Sequence, residues 1–448
     1  MNSGQQIAYN GRTYVVAFDR NTNKLLIRNC KGESIEATKE SDSVVRISAD
    51  GSKHRIDLSK DPNASFFIEL IKQAWQTQET SDEARFFEEA TAAYDEDISH
   101  LKKTLNIAVI GKVSSGKSSL INALLMRSRS NPIAKVGVEA GVTTNLKIIK
   151  LDENVRLIDS PGIDDIKSEN SDVTREFLAN IDVGVLVVTG AANESQRSIF
   201  DDLRRQCSEV FVALNKIDIY DEYNDEALNK VIKQWGSCLG VDKIYPVCAF
   251  GYDPDLSPTT DLNLRGIDKL RTDIENFLET KQKKLLLARH MSEKRRYAKG
   301  IIVSAIVAVG IQAALPGKAA FITATQLGAI ASLHYLYKGT ILSKSSAWAV
   351  LPVFAGQAIA TNVFLFFTSF IPPTGIIEVA AAVTAISITS SMLLAVNYAL
   401  SNGFNLEDVE ILKDKFAEYK RAVSQILKIR SVSDLQRLKP EELLKDLL

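Results

Sequence analysis

The chain has 448 residues, enough for two to four domains, and its 54 Lys and Arg nearly cancel its 55 Asp and Glu, so net charge points to no nucleic-acid partner. Its four cysteines (Cys30, Cys207, Cys238, Cys248) and four histidines are scattered. That distribution excludes a disulfide framework and a zinc site of paired ligands, and suits reduced thiols in the cytosol. The start, MNSGQQIAYNGRTY, carries neither a basic stretch nor a signal-like apolar core, so a cytoplasmic location is expected.

Residues 1–60 alternate apolar and polar side chains, with turn signals at Asn10-Gly11, Asn21-Thr22-Asn23 and Lys31-Gly32, and predict a small β module. Over 61–104 two helices are expected. Asp61-Pro62 opens the first, whose Phe67, Leu70, Ile71, Ala74 and Trp75 share a face; Ser81 begins the second, with Phe86, Phe87, Ala90, Tyr94 and Leu101. From 105 to 265 strands alternate with helices, as in a mostly parallel sheet covered on both faces. The expected strands are 105–110, 145–151, 154–159, 183–189, 209–214 and 243–248, six in all, and the turn Asp152-Glu153-Asn154 makes the second and third an antiparallel hairpin. A connecting helix is expected over 266–298, apolar helical hairpins over 299–403, and C-terminal helices over 404–448, one at 406–430 and one from Pro440. The helices 83–103, 266–298 and 406–430 are expected to pack together as a neck.

The strand Leu105–Ile110 runs into GKVSSGKSS, Gly111 to Ser119, the P-loop pattern between a strand and a helix. Gly111 and Gly116 let the backbone curl so that the N–H groups around Ser114, Ser115 and Ser119 point at phosphates, and the helix that follows adds its positive end. Lys117 is expected to reach the β- and γ-phosphates, and Ser118 to offer its hydroxyl to Mg²⁺. After the strand ending at Leu214 comes Asn215-Lys216-Ile217-Asp218. A carboxylate at Asp218 accepts both N1–H and N2–H of guanine, a donor pair that adenine lacks, so GTP is expected over ATP. Asp159-Ser160-Pro161-Gly162 places Asp159 near Mg²⁺ and the Gly162 N–H near the γ-phosphate, while either Thr143 or Thr144 offers a hydroxyl to the metal. Cys248 and Ala249, after the last strand, bring a backbone N–H to guanine O6.

In this order the motifs resemble those of the P-loop GTPases of the Era and dynamin branches, over 105–250. That resemblance implies an α/β P-loop GTPase domain that hydrolyses GTP to GDP and phosphate with Mg²⁺. Ile163 follows Gly162 where Ras-like enzymes carry a water-orienting glutamine. Dynamin-like relatives carry a serine at the position of Ser114, which implies catalytic help from Ser114, a monovalent cation (Na⁺ or K⁺) and a second G domain across a dimer interface.

The charge is unevenly spread. Between Ala298 and Leu400 only Lys299, Lys318, Lys338, Lys344 and Glu378 are ionised, whereas Lys281–Lys299 carries eight basic residues against Glu293. Apolar runs at 346–373 and 375–400 reach the roughly twenty residues a bilayer helix needs. Polar residues within the region (Gln312, Gln326, His334, Gln357, Asn362, Glu378, Asn397) are expected to pair between helices. The basic run beside them is expected to attract anionic lipid and hold the protein at the inner face of a membrane. The region is similar in plan to the helical parts of immunity-related GTPases, which implies membrane binding or remodelling coupled to GTP turnover. The alternatives are an Era-type assembly GTPase with a self-buried helical domain and a membrane transporter gated by its G domain.

Overall fold

The computed structural model describes residues 5–9, 12–19, 24–29, 34–41, 44–49, 52–57, 84–136, 147–160, 180–223, 225–257, 259–313, 319–355, 378–427, 439–445 and 447. The chain divides into two compact units, Met1–Thr91 and Ala92–Leu448. In the first, strands β1 (Gln5–Tyr9), β2 (Arg12–Asp19), β3 (Lys24–Asn29), β4 (Ser34–Ser41), β5 (Val44–Ala49) and β6 (Ser52–Asp57) form an antiparallel meander in chain order. β1 and β2 pair from Gln5↔Val16 to Tyr9↔Arg12; the turn signal Asn10-Gly11 lies outside the described residues. The helix expected from Asp61 lies outside the described residues. Helix α1 (84–97) follows and continues into the second unit, ending in the 3₁₀ turn Ser99–Lys102.

The second unit opens with the G domain. Strands β7 (Leu105–Ile110), β8 (Lys147–Lys150), β9 (Val155–Ser160), β10 (Ile181–Val188), β11 (Cys207–Leu214) and β12 (Tyr245–Pro246) form one sheet in the order β12-β11-β10-β7-β9-β8. Every pairing is parallel except β8 with β9, the expected hairpin. The side chains of β7 are buried along its whole length, as both faces of a parallel sheet require. Helices α2 (Lys117–Leu124), α3 (Glu194–Gln206) and α4 (Asp225–Leu239) complete the layers. Ile158, Phe200, Leu203 and Trp235 share one core, and the Trp235 indole N–H donates to Gly190 O at 2.8 Å. The central strand β7 has its crossovers leaving to both sides, toward β9 and β10. That is the topological switch point, where open α/β sheets bind ligands at the carboxyl ends of their strands.

The last predicted strand divides in the structure. β12 ends at Pro246, and β13 (Cys248–Phe250) pairs instead with β14 (Asn263–Arg265), outside the main sheet. Gly266, at φ 70°, lets the chain pass the Pro246 carbonyl, which a Cβ would meet at 2.0 Å.

The expected connecting helix over 266–298 is broken. Helix α5 (Ile267–Thr280) ends two residues before Gln282, whose φ of 57° is left-handed; α6 (Lys284–Ala288) is short, and α7 begins only at Arg295. Basic side chains seek separate acids here: Lys283 pairs with Asp182, Lys284 with Glu279, Arg289 with Asp152 and Arg296 with Glu275. One straight helix does not reach all four.

Helices α7 (Arg295–Ala313), α8 (Ala319–Lys338), α9 (Lys344–Ala355), α10 (Glu378–Ser401) and α11 (Val409–Ile426), with the short α12 (Pro440–Leu443), form the helical region. α10 is apolar around its circumference and packs against α7, α8 and α11, which is how such a helix avoids water. Gly310 of α7 lets the two backbones close, since a Cβ there would meet Ile386 of α10 at 3.2 Å. Several of the expected interhelical polar pairs form. Gln326 donates to Thr389 at 2.8 Å, Gln312 to Thr325 at 3.1 Å and Tyr337 to Asn397 at 2.9 Å, while His334 bonds Thr340 O within its own connection. Gln357 and Asn362 lie outside the described residues.

The expected neck does not assemble. The end of α1 packs by the α8–α9 link, where the Tyr94 hydroxyl donates to Leu342 O (2.9 Å) and Asp95 meets Lys344 (2.6 Å). α11 lies on α9 and α10, with Phe354 against Phe416, and α5 lies on β11 and α2. Among the described residues one stretch, Ala382–Ser401, is long and apolar enough to cross a membrane, and 78% of it is buried inside the protein.

Candidate functional site

The loop after β7 is shaped by close approaches. A Cβ at Gly111 would meet Val187 O at 2.2 Å, and one at Gly116, φ 86°, would meet the Asn215 amide at 2.3 Å. Glycine is the residue that fits both. Ser114 takes φ 64° at the exposed tip, beside Val113, which is 53% exposed. Ser119 is half-buried on the first turn of α2.

Behind the loop lies a buried polar group. Lys117 is 3% exposed; its ammonium donates to Lys112 O at 3.2 Å and stands 4.0 Å from the Asp159 carboxylate at the end of β9. The Ser118 hydroxyl donates to the other Asp159 oxygen at 2.5 Å. Asn215 Nδ2 donates to Ser115 O at 2.9 Å, which ties the turn after β11 to the loop after β7. Asp159 Oδ1, Ser115 Oγ and Asn215 Oδ1 are buried without hydrogen-bond partners among the described residues. Orphaned buried oxygens of this kind need a ligand or water to complete them. A hydroxyl beside a carboxylate is the hard-oxygen donor set that suits Mg²⁺, so the residues present fit that ion.

On the base side, Lys216 takes a left-handed φ of 62° and turns the chain into the 3₁₀ turn Ile217–Tyr220, which presents Asp218. The Cys248 thiol donates to the Asp218 carboxylate at 3.3 Å; burial pushes the thiol pKa up, and the Asp218 charge adds to this. Ala249 is buried next to it. The structure therefore brings together Gly111, Ser114, Ser115, Gly116, Lys117, Ser118, Ser119 and Asp159, and links them through Asn215 to Lys216, Asp218, Cys248 and Ala249. Thr143, Thr144 and Gly162 lie outside the described residues.

Three residues that sequence reasoning passed over hold the site in place. Asn122, fully buried on α2, accepts from the Ile133 and Ala134 N–H groups and donates to Ala134 O, so it pins the start of the loop that leads to Thr143. Arg271 of α5 caps the end of α2. Asp152, in the β8–β9 turn, takes Arg289 and, at 2.9 Å, His290. Burial alone would raise the Asp152 pKa; the His290 bond, the Asn154 and Val155 N–H groups and the His290 charge outweigh it and hold the carboxyl at about 2. An asparagine inside an amphipathic helix and an aspartate in a tight turn carry no motif. Their partners are distant in sequence.

Residues 106–216 match the family model described as "50S ribosome-binding GTPase". The nuclear GTP-binding protein NUG1 of Saccharomyces cerevisiae is 52% identical over 66 residues, 14% of this chain and 13% of that protein. GTPase Der of Nautilia profundicola is 28% identical over 189 residues, 40% of this chain and 36% of that protein. The solved structure of Aquifex aeolicus Era bound to GDP and AlF4⁻ is 18% identical, covers 46% of this chain and 68% of its own, and has a TM-score of 0.27. The chain thus spans well under half the length of these two curated relatives. The sheet, the loop after β7 and the family match over 106–216 define a P-loop domain of the GTPase type. GTPases of this class generally use Mg²⁺.

Proposed function

We propose that the protein is a GTP-driven switch in which the helical region is the output of the nucleotide cycle. The observation that carries this is the placing of β9. Asp159 ends the strand against Ser118 and Lys117, and just before its start Asp152 binds Arg289 and His290 at the entrance to the helical region. Arg289 also lies over the Tyr335 ring of α8, 5.5 Å from its centroid. A strand is stiff along its length, so displacement at Asp159 is felt at Asp152 roughly 20 Å away.

In this reading the backbone N–H groups of 111–119 and the Lys117 ammonium hold the β- and γ-phosphates, and the Gly162 N–H meets the γ-phosphate. Ser118 and Asp159, joined by Thr143 or Thr144, would hold Mg²⁺, which when bound supplies positive charge beside the phosphate oxygens. Asn215, Lys216 and Asp218 clasp guanine, with Cys248 orienting Asp218 and the Ala249 N–H facing O6. In the same reading Ser114, exposed at the loop tip, would work with a monovalent cation and a second G domain, the dynamin-like arrangement. The absence of glutamine after Gly162 supports that reading.

The test is hydrogen exchange of the full chain with GDP or a non-hydrolysable GTP analogue. Protection across 284–291 and α8 should differ between the two states in the wild type and converge in Asp152→Asn. Equal protection in both states, with nucleotide binding intact, would overturn the switch reading.

A membrane surface as the target of that output is a second reading, supported by Val307, Ile311 and Phe321. They are 45%, 64% and 41% exposed at the facing ends of α7 and α8. With α10 buried inside the protein, contact through these three side chains would be docking at the inner face of an anionic membrane. Co-sedimentation with anionic liposomes and, separately, with large ribosomal subunits tests this. Nucleotide-dependent binding to liposomes, reduced by Ile311→Ser, is expected; binding to ribosomal subunits alone would transfer the output to the Era-type alternative.

A further inference from the structure

A second cleft lies at the far end of α2 from the phosphate loop. Arg271 closes that end, donating to Leu124 O at 2.8 Å and Ala123 O at 2.9 Å. The chain then turns through Met126 at φ 53°, a left-handed conformation that costs a side-chain-bearing residue about 1 kcal/mol. The turn presents Arg127. Its backbone is held on both sides: the N–H donates to Asn122 O at 2.9 Å, and the carbonyl accepts from the Tyr252 hydroxyl at 2.8 Å. Its side chain is not. The Arg127 Nε is buried without a hydrogen-bond partner among the described residues, and no carboxylate there forms an ion pair with it.

Arg127 lines a cavity of about 780 Å³ together with Arg271 and Arg296, over apolar surface from Met126 and Leu264. An adjoining groove of about 600 Å³ shares Glu293 and Arg296 with it and adds Lys294, Arg295, Lys299 and Lys445. Among the described residues the acids lining the two spaces are Asp268 and Glu293. Arg271 is satisfied by Asp268 and Arg296 by Glu275, which leaves Arg127 and four other cations with Glu293. Burial pushes the pKa of Arg127 down, and burial followed by the charges of Arg289 and Arg127 does the same to Lys294. Partly desolvated cations pressed together are costly until an anion joins them. The basic run therefore has two main fates: Lys283, Lys284, Arg289 and Arg296 form ion pairs, and Lys294, Arg295 and Lys299 line this cleft.

We propose that the cleft binds a small ligand carrying two or more phosphate groups, its phosphates between Arg127 and Lys294 and its carbon skeleton on Met126 and Leu264. The guanidinium fork suits phosphate oxygens, and cations spread over two joined spaces need more than one anionic group to satisfy them. The volume is in the range of small-molecule sites. Such a ligand is either free in solution or the headgroup of a lipid with two phosphates. Bound there, it sits on the helix whose other end holds the nucleotide.

The experiment uses the full chain saturated with GDP, so that the nucleotide site is filled. Soluble inositol trisphosphate is titrated by calorimetry, and phosphatidylcholine vesicles with and without cardiolipin are tested by co-sedimentation. Saturable binding to either probe is expected. Arg127→Gln and Lys294→Gln should each weaken it roughly tenfold, the scale of one lost charge-assisted contact. Lys281→Gln, outside the cleft, should leave it unchanged. Capture by cardiolipin vesicles that the soluble probe competes away assigns the headgroup source; binding of the soluble probe without vesicle capture assigns a free ligand. No saturable binding of either probe, or binding unchanged in natively folded Arg127 and Lys294 variants, overturns the proposal. GDP affinity is measured separately, so this failure is distinct from failure of the GTPase reading.

Discussion

The G domain and the helical region both bury polar atoms, but they use them for different ends. Around the loop after β7, oxygens of Ser115, Asp159 and Asn215 converge with no partner, at the carboxyl ends of the central strands. In the helical region Gln326 meets Thr389, Gln312 meets Thr325 and Tyr337 meets Asn397, each bond crossing from one helix to another. An unsatisfied cluster at an open cleft stores binding energy for a ligand, whereas a satisfied pair between apolar helices fixes which helices pack and in what register. The first cluster lies at the strand ends where a ligand can complete it, whereas the helical pairs hold one helix to another, with Gln326 Oε1 and Ser390 Oγ left without partners among the described residues.

The strongest test of the contrast is at the unsatisfied cluster. Lys117→Ala should lower steady-state phosphate release on the order of 10²–10³-fold, the scale of losing one preorganised charge at a reacting phosphate. Retained turnover would remove the loop after β7 from the chemistry. Next, Asp218→Asn should weaken GTP binding on the order of a hundredfold and favour xanthosine nucleotides in competition calorimetry, because an amide donates to the 2-oxo group. Equal losses for GTP and ATP would mean that Asp218 does not read the base.

In the helical region, Gln326→Leu should cost up to about 3 kcal/mol in chemical denaturation, since it strands the Thr389 hydroxyl in an apolar interior. Adding Thr389→Val should recover part of that loss. A double variant less stable than the single would break the claim that the pair is self-contained. The smallest effect is at the junction between the two regions. The Asp152 carboxyl is held at about 2 in the folded chain against an ordinary 3.8. Its contribution is therefore present above the unfolded value and is lost as pH falls from about 4 toward 2. It amounts to no more than about 2 kcal/mol. Asp152→Asn should flatten the stability curve in that window by this amount and leave its slope above pH 6 unchanged.

The placing of the residues expected to hold the nucleotide was legible in the sequence. The P-loop glycines, Lys117, Ser118, Asp159 and Asp218 sit at spacings set by a strand, a tight turn and a helix start, which are local events. The β8–β9 hairpin and the β1–β6 meander were legible for the same reason, through alternation and short turns. The segment 266–298 misled because its apolar stripe fits a helix, whereas Asp152 and Asp182, which draw Arg289 and Lys283 apart, come from distant parts of the chain.

For the helical region, composition determined that residues from about 300 to 400 would form apolar helices needing cover, and left open whether lipid or protein provides it. Tertiary structure decided that for α10: it packs against α7, α8 and α11, and its Thr389 and Asn397 meet partners on α8. The physical reason is that hydrophobic burial is non-directional. An apolar helix is indifferent to what removes it from water, so its sequence states the need, and only the packed neighbours and their hydrogen bonds state how the need is met. The wiring of Asp152 to Arg289 and His290, and the unpaired Arg127 at the far end of α2, were likewise decided by folding, because each depends on where a distant charge comes to rest.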